Sequence, residues 1–173
     1  MKGSTFWKTV IADESDFLER IITLLEERGI RFCVIGGQAV NAYADPVVSL
    51  DLDIVIAVEQ LDLARIVLAE HFSLEEFPYS LNINERDSDL RVQVQTDPRY
   101  FSFVSRAAER PVLGVTLPVA DIADVLQGKV WAASDPARRP SKRLKDLSDI
   151  ARMLERRPDL IEHVPEEIRT KLL

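Results

Sequence analysis

One stretch limits the fold more than any other. Phe32-Cys33-Val34-Ile35 is a short, partly β-branched apolar run that stops at Gly36-Gly37 and continues as Gln38-Ala39-Val40. Such a run predicts a buried strand whose backbone turns tightly and enters a helix at Gln38. Unpaired N–H groups at a helix start favour anions, and glycine lets a phosphate come close to the backbone. A second apolar run, Leu50-Asp51-Leu52-Asp53-Ile54-Val55-Ile56, carries two carboxylates. Side chains alternate along a strand, so Asp51 and Asp53 share one face while Leu52, Ile54 and Ile56 share the other. Two carboxylates on one face repel each other. A divalent cation removes that cost, and an oxygen-rich pair of this kind suits Mg²⁺ or Mn²⁺ bound together with a nucleotide's phosphates.

Gly36-Gly37 followed by Asp51-Leu52-Asp53-Ile54 resembles the signature of the nucleotidyltransferase fold of the DNA polymerase β superfamily. Within it, the chain resembles the bacterial nucleotidyltransferase family of the AbiEii type, often encoded in toxin–antitoxin and phage-defence loci. The resemblance runs from the helix before the glycines to Lys145-Asp146-Leu147-Ser148-Asp149. It implies an α/β (α+β) fold with a mixed β-sheet flanked by helices and a helical C-terminal part. It also implies that Gly36 and Gly37 contact a nucleoside triphosphate and that Asp51 and Asp53 hold the metal and are the catalytic acids. Ser49 stands where the family commonly has threonine and keeps the hydroxyl; its alternative role is a strand-start hydrogen bond. Lys129 and Lys145 resemble two later motifs that lie near the nucleotide. A helical surface pair between Lys145 and Asp149, one turn apart, is the other reading of that segment. Alone, an Asp-x-Asp or a Gly-Gly is more often structural than catalytic.

The 173 residues suffice for one domain with a proper core, so residues 1–173 are expected to form a single nucleotidyltransferase-like domain. Its sheet core is expected at about 13–118 and its helical part at about 119–173. A hydrophobic share of 46% and a charged share of 29% are those of a globular protein. The net charge of −7 argues against a general coat for nucleic acid, although a local basic groove is compatible with it. No apolar run reaches the roughly 20 residues that span a bilayer, and Met1 to Trp7 has no apolar core of a signal peptide. No membrane partner and a cytoplasmic location are therefore expected. Cys33 is the only cysteine and lies inside the first apolar run, which makes it a packing thiol and excludes an internal disulfide.

Before the glycines, Asp13 to Asp16 offers an N-cap, and Phe17, Leu18, Ile21, Ile22, Leu24 and Leu25 recur at helical spacing up to Gly29. A short helix from Gln38 ends near Ala44, ahead of Asp45-Pro46. Glu59 to Phe72 reads as a helix with Leu61, Leu63, Ile66, Val67 and Leu68 inward. Strands follow at Leu74–Pro78, Leu81–Asn84 and Leu90–Thr96. Asp97-Pro98 opens a helix expected over Tyr100–Glu109, followed by one strand near Val112–Leu117. Ala120 to Ala133 and Ser141 to Arg156 are helical by period, the latter with Leu144, Leu147, Ile150, Ala151 and Leu154 inward. Pro158 breaks it, and Pro165–Leu173 forms a small last helix. No internal repeat or linker interrupts the chain.

Nucleotidyl transfer requires an acceptor hydroxyl attacking the α-phosphorus, with metals stabilising the attacking and leaving oxygens. Polymerase-β-like enzymes usually add a third acid from a neighbouring strand, and the position that aligns with it here is Gln93. Glutamine neither carries the charge nor accepts the proton. This departure leaves two readings open. In the first, the chain binds Mg²⁺ and a nucleoside triphosphate and moves a nucleoside monophosphate to a hydroxyl of RNA or of a partner protein. In the second it is a catalytically impaired module that binds nucleotide or a partner, as in a toxin–antitoxin pair. A purely structural interaction domain would leave the acids and glycines as packing accidents. Arg138, Arg139, Lys142, Arg143 and Lys145 concentrate positive charge, either as a solvated helix face or as a phosphate groove. His71 and His163 lack ligand-spaced companions for zinc, and Trp7 and Trp131 form no stacking array for single strands.

Overall fold

The computed structural model describes residues 16–172. The cap expected at Asp13 to Ser15, the segment Met1 to Trp7 and the final Leu173 lie outside the described residues. In chain order the elements are α1 (residues 16–27), β1 (Phe32–Ile35), α2 (Gly36–Tyr43), β2 (Asp51–Ile56) and α3 (Leu61–Ala69). They continue with β3 (Ser73–Phe77), β4 (Ser80–Asn84), β5 (Arg91–Gln95), β6 (Ala108–Val112), β7 (Val115–Val119), α4 (Ile122–Ser134), α5 (Pro140–Arg156) and α6 (Glu166–Leu172). Among the described residues the fold is α+β, with seven strands in a mixed sheet and helices flanking it. By compactness the chain divides into two units. Of the described residues, one holds those up to Phe32 and Leu50–Val104, the other Cys33–Ser49 and those from Ser105 onward.

In the first unit the strand order is β3-β4-β5-β2, with β5 parallel to β2 and antiparallel to β4. Leu52, Ile54, Val55 and Ile56 of β2 are fully buried, as a central strand rich in branched residues should be. Phe17, Ile21 and Leu25 of α1 and Ala64, Val67 and Leu68 of α3 complete this core, and Phe17 meets Phe72 edge to face at 5.5 Å. α1 stops for a local reason. Gly29 takes φ +63°, its N–H donates to Glu26 O at 3.0 Å, and the Ile30 N–H reaches Leu25 O at 2.9 Å. These are the two bonds of a Schellman cap, sealed by buried Leu25 and Ile30. Gln60 then fixes the chain after the cap, accepting from Arg31 N–H and donating to Gly29 O, both at 2.7 Å.

The second unit has the strand order β1-β7-β6, with β7 parallel to β1 and β6–β7 an antiparallel hairpin. Leu113 and Gly114 form its two-residue turn, with φ of +51° and +82°, the left-handed pair that matches strand twist. Asp121 caps α4 by accepting from Ala123 N–H at 3.0 Å, and Pro140 opens α5. Val34, Val119, Leu117, Leu126, Ile150 and Met153 are buried here. So is Cys33, whose thiol burial pushes up to about 12, with Asp124 adding to the shift and Arg106 opposing it. Among the described residues no helix is long and apolar enough to cross a membrane.

Four sequence expectations need correcting. Helix α2 begins at Gly36, not Gln38. The segment expected as a helix over Tyr100–Glu109 is a run of 3-10 turns, Pro98–Arg106, after which Glu109 already belongs to β6. What reads as one strand near Val112–Leu117 is therefore the two ends of a hairpin. Leu63, Ile66 and Leu144 face solvent, because Ala64 fills the inward position of α3 and Asp146 and Asp149 fill those of α5.

Candidate functional site

In the first unit the acids sit as the alternation requires. Asp51 and Asp53 are half-buried on one face of β2, and Leu52 and Ile54 are buried on the other. The parallel register places Asp51 beside Arg91 and Asp53 beside Gln93, and β4 adds Asn82 opposite Gln93. Partners in register share a face, so the acids continue into a polar row across three strands. Gln93 thus lies on the neighbouring strand beside Asp53, where the resemblance led it to be expected. Arg91 was not among the sequence candidates. Its Nε lies 2.7 Å from Asp51 Oδ1, with the arginine side chain 73% exposed and the aspartate 26%. A pair this open to water stabilises the fold by only about 0.2–1 kcal/mol. The one signal for it was parity: Arg91 lies on the same strand face as Gln93.

The donor set is two carboxylates and a neutral amide oxygen. These are hard oxygen ligands, which suit Mg²⁺ or Mn²⁺ when phosphates and water complete the shell. Among the described residues no group of three or more His, Cys, Asp or Glu side chains is placed to hold a metal ion. Such a cation would be held at the acid row by Asp51 and Asp53.

In the second unit the two glycines differ. Gly36 takes φ +68°, a conformation that a residue with a Cβ enters at a cost of about 1–2 kcal/mol. Gly37 has no such backbone, and nothing described lies within 4 Å of where its Cβ would sit. Neither strain nor packing accounts for glycine at position 37. Its open approach to the first turn of α2 is what a phosphate needs, and no acidic side chain or side-chain cap occupies that turn. Buried Gln38 donates to Ser49 O at 2.9 Å, and Asn41 exchanges bonds with Val47, donating at 2.8 Å and accepting at 3.0 Å. The chain at Ser49 is thus tied to α2.

Lys129 and Lys145 are placed differently. Lys129 is buried on α4, with Nζ 3.2 Å from Asp146 Oδ1 and 2.8 Å from Asp149 Oδ2. Arg138 also pairs with Asp146 at 2.9 Å, and Arg152 pairs with Asp149 at 2.9 Å. Burial works against the Lys129 charge, but Asp149 and Asp146 outweigh it and raise its pKa above the ordinary lysine value. Arg152 further reaches Asn41 Oδ1 at 2.6 Å and Asp45 O at 3.0 Å. Lys145 is exposed, and Asp149 turns from it to Lys129 and Arg152. Within the basic segment, Arg143 is occupied with the carbonyl of Asp135 at 2.8 Å. A cavity of about 430 Å³ lies beside α1, lined by Glu19, Arg20, Glu27 and His71 among others. Its acidic wall does not suit a triphosphate, and it contains none of the expected site residues.

No family model and no curated protein sequence matches the chain. Its fold is similar to several solved structures. The antibiotic-resistance factor ANT(2'')-Ia in solution superposes with a TM-score of 0.64 at 14% identity, over 92% of this chain and 93% of that one. The same factor in complex with adenylyl-2''-tobramycin gives 0.60 at 15% identity, over 91% and 98%. The lincosamide antibiotic adenylyltransferase LnuA, lincomycin-bound, gives 0.53 at 11% identity, over 79% and 95%. The chain has the nucleotidyltransferase fold.

Proposed function

We propose that the chain is a nucleotidyltransferase that moves a nucleoside monophosphate from a nucleoside triphosphate to an acceptor hydroxyl, on RNA or on a protein, and releases pyrophosphate. One observation carries the reading: a fold shared over nine-tenths of both chains with ANT(2'')-Ia, with Asp51 and Asp53 side by side on one strand face. Asp51 and Asp53 hold and orient the cation–triphosphate pair. The bound cation supplies charge neutralisation at the attacking and leaving oxygens. The first turn of α2 at Gly36-Gly37 offers backbone N–H groups to the phosphates. The acceptor oxygen forms a bond to the α-phosphorus as the α–β bridging bond breaks, and the hydroxyl proton leaves to water or a substrate phosphate, because Gln93 does not accept it. The adenylyl-tobramycin and lincomycin of the structural neighbours add hydroxylated small molecules to the acceptors worth testing.

Gln93 supports a second reading, a nucleotide- or partner-binding module with little turnover, such as an AbiEii-like member of a toxin–antitoxin pair. Labelled nucleoside triphosphates with Mg²⁺, incubated in turn with total RNA, lysate protein and hydroxylated antibiotics, separate the two. Label should pass to one acceptor and fall about 100- to 1000-fold with Asp53→Ala. Equal labelling by wild type and variant would end the enzyme claim. A thermal shift with nucleotide but no label transfer would select the binding module.

A further inference from the structure

The eight side-chain amides of the chain, three asparagines and five glutamines, are unevenly placed. Four of them, Asn82, Asn84, Gln93 and Gln95, stand on one face of β4 and β5 in the first unit, while Leu81, Ile83, Val92 and Val94 are buried on the other. Strands disfavour asparagine, and threonine would serve a face that meets only water at least as well. A local preference broken twice in one five-residue strand is expected where a ligand, not the fold, sets the residue. Asn82 and Gln93 are half-buried and paired in register, and their row runs from Asp53 of β2 to Glu75 of β3. It crosses three strand gaps, roughly 14 Å, which is longer than a single sugar ring. Two residues along β4, Ser80 stands between Gln95 and Phe77, and Phe77 is 44% exposed. Gln95 is already oriented, its Oε1 accepting from the Asp97 N–H at 3.0 Å.

We propose that this amide face is the acceptor site and that the acceptor is an uncharged, polyhydroxylated small molecule, a sugar or a glycoside. A carboxamide donates and accepts at once, as a hydroxyl does, so neighbouring amides match neighbouring hydroxyls without adding charge. An exposed phenylalanine at the far end offers its ring to the apolar face of such a molecule. The charge of the face decides against the other acceptors. An RNA backbone needs cations along its path, and on this face β4 and β5 offer only Arg91, which already meets Asp51. A protein acceptor needs apolar anchors at the middle of the surface, where the amides stand. The proposal rests on the nucleotide reading above and names its acceptor. One acceptor hydroxyl oxygen bonds to the α-phosphorus, pyrophosphate leaves, and the hydroxyl proton passes to water or a substrate phosphate.

The test gives the full-length chain Mg²⁺ and the four nucleoside triphosphates labelled at the α-phosphorus, with three acceptor pools in parallel: neutral mono- to trisaccharides and their glycosides, total RNA, and lysate protein. Thermal shift with the same nucleotides is read alongside. Label should pass to the saccharide pool. Asn82→Val removes the amide but keeps a strand-favouring residue, and should raise KM for the labelled saccharide about tenfold while kcat and the nucleotide shift stay near wild type. Asn82→Gln should recover part of that loss, and Phe77→Ala, at the exposed end, should raise the same KM by a smaller factor. With the nucleotide shift present, a saccharide pool without label overturns the proposal, whether RNA, protein or nothing is labelled, and leaves nucleotide binding standing. So does a labelled saccharide whose KM is unchanged in Asn82→Val. Neither label nor thermal shift overturns both readings.

Discussion

Two of the chain's pairs of neighbouring aspartates are treated in opposite ways. Asp146 and Asp149, on α5, are almost completely buried and are met by Lys129, Arg138 and Arg152. Asp51 and Asp53, on β2, are half-buried, and the cation named for them is an exposed arginine on Asp51. A buried charge must be answered from within the protein, because water no longer does it. A half-exposed pair on a strand face can leave its charge for a ligand to answer. Burial thus separates the two pairs, although both are short motifs in one sequence, and only the half-buried pair is open to the role proposed for it.

The strongest way to break this contrast is to remove one charge from each pair. Lys129→Met should lower stability by about 3–5 kcal/mol in urea unfolding, since Asp146 and Asp149 stay buried without their shared cation. Asp53→Ala, at a half-buried position, should cost clearly less stability than that while removing nucleotide binding. Equal losses from both would erase the distinction. The glycine pair sharpens it at smaller scale. Gly36→Ala forces a Cβ into a left-handed backbone and should cost about 1–2 kcal/mol. Gly37→Ala meets open space and should be neutral or slightly stabilising, yet weaken the triphosphate. A Gly37→Ala chain that loses stability and keeps nucleotide affinity would return that position to packing.

The smallest expected effect is alkaline. Cys33 and Lys129 both hold their protons more tightly in the folded chain, so the unfolded chain releases them first as pH rises. Stability from Cys33 is intact below its ordinary value of 9.0 and is lost as pH climbs toward about 12, on the order of 1 kcal/mol between pH 9 and 10. That from Lys129 is intact below 10.5 and is lost above it. Cys33→Ala should remove the earlier part of the decline in a pH series of melts and leave the later part.

Much of the first unit was legible because its signals are local. Alternation along Asp51–Ile56 and Arg91–Gln95 fixes which residues face together, and Gly29 marks the end of α1 by its own backbone. The second unit was harder because its decisive contacts are remote. Helical period places Leu144 inward, but Asp146 and Asp149 take the inner face, and the lysine that admits them comes from another helix. Lys129 was singled out from the sequence for a ligand, with nothing in its neighbours to show two aspartates waiting for it. The β6–β7 hairpin escaped for a related reason. Its turn uses Leu113 at positive φ, a residue that carries no turn signal, and only Gly114 hinted at it. Arg91 gains its interest solely from register, which a single strand does not disclose.

The outermost strands deserve a last consequence. β3 presents Glu75 and Glu76 to solvent, and β6 carries Glu109, Arg110 and Pro111. A proline withholds the amide that an incoming strand would need, and charges of one sign repel a matching copy. Crowded copies of this chain therefore have poor templates for growing into a shared ribbon, and fibril nucleation should be slow even at high concentration.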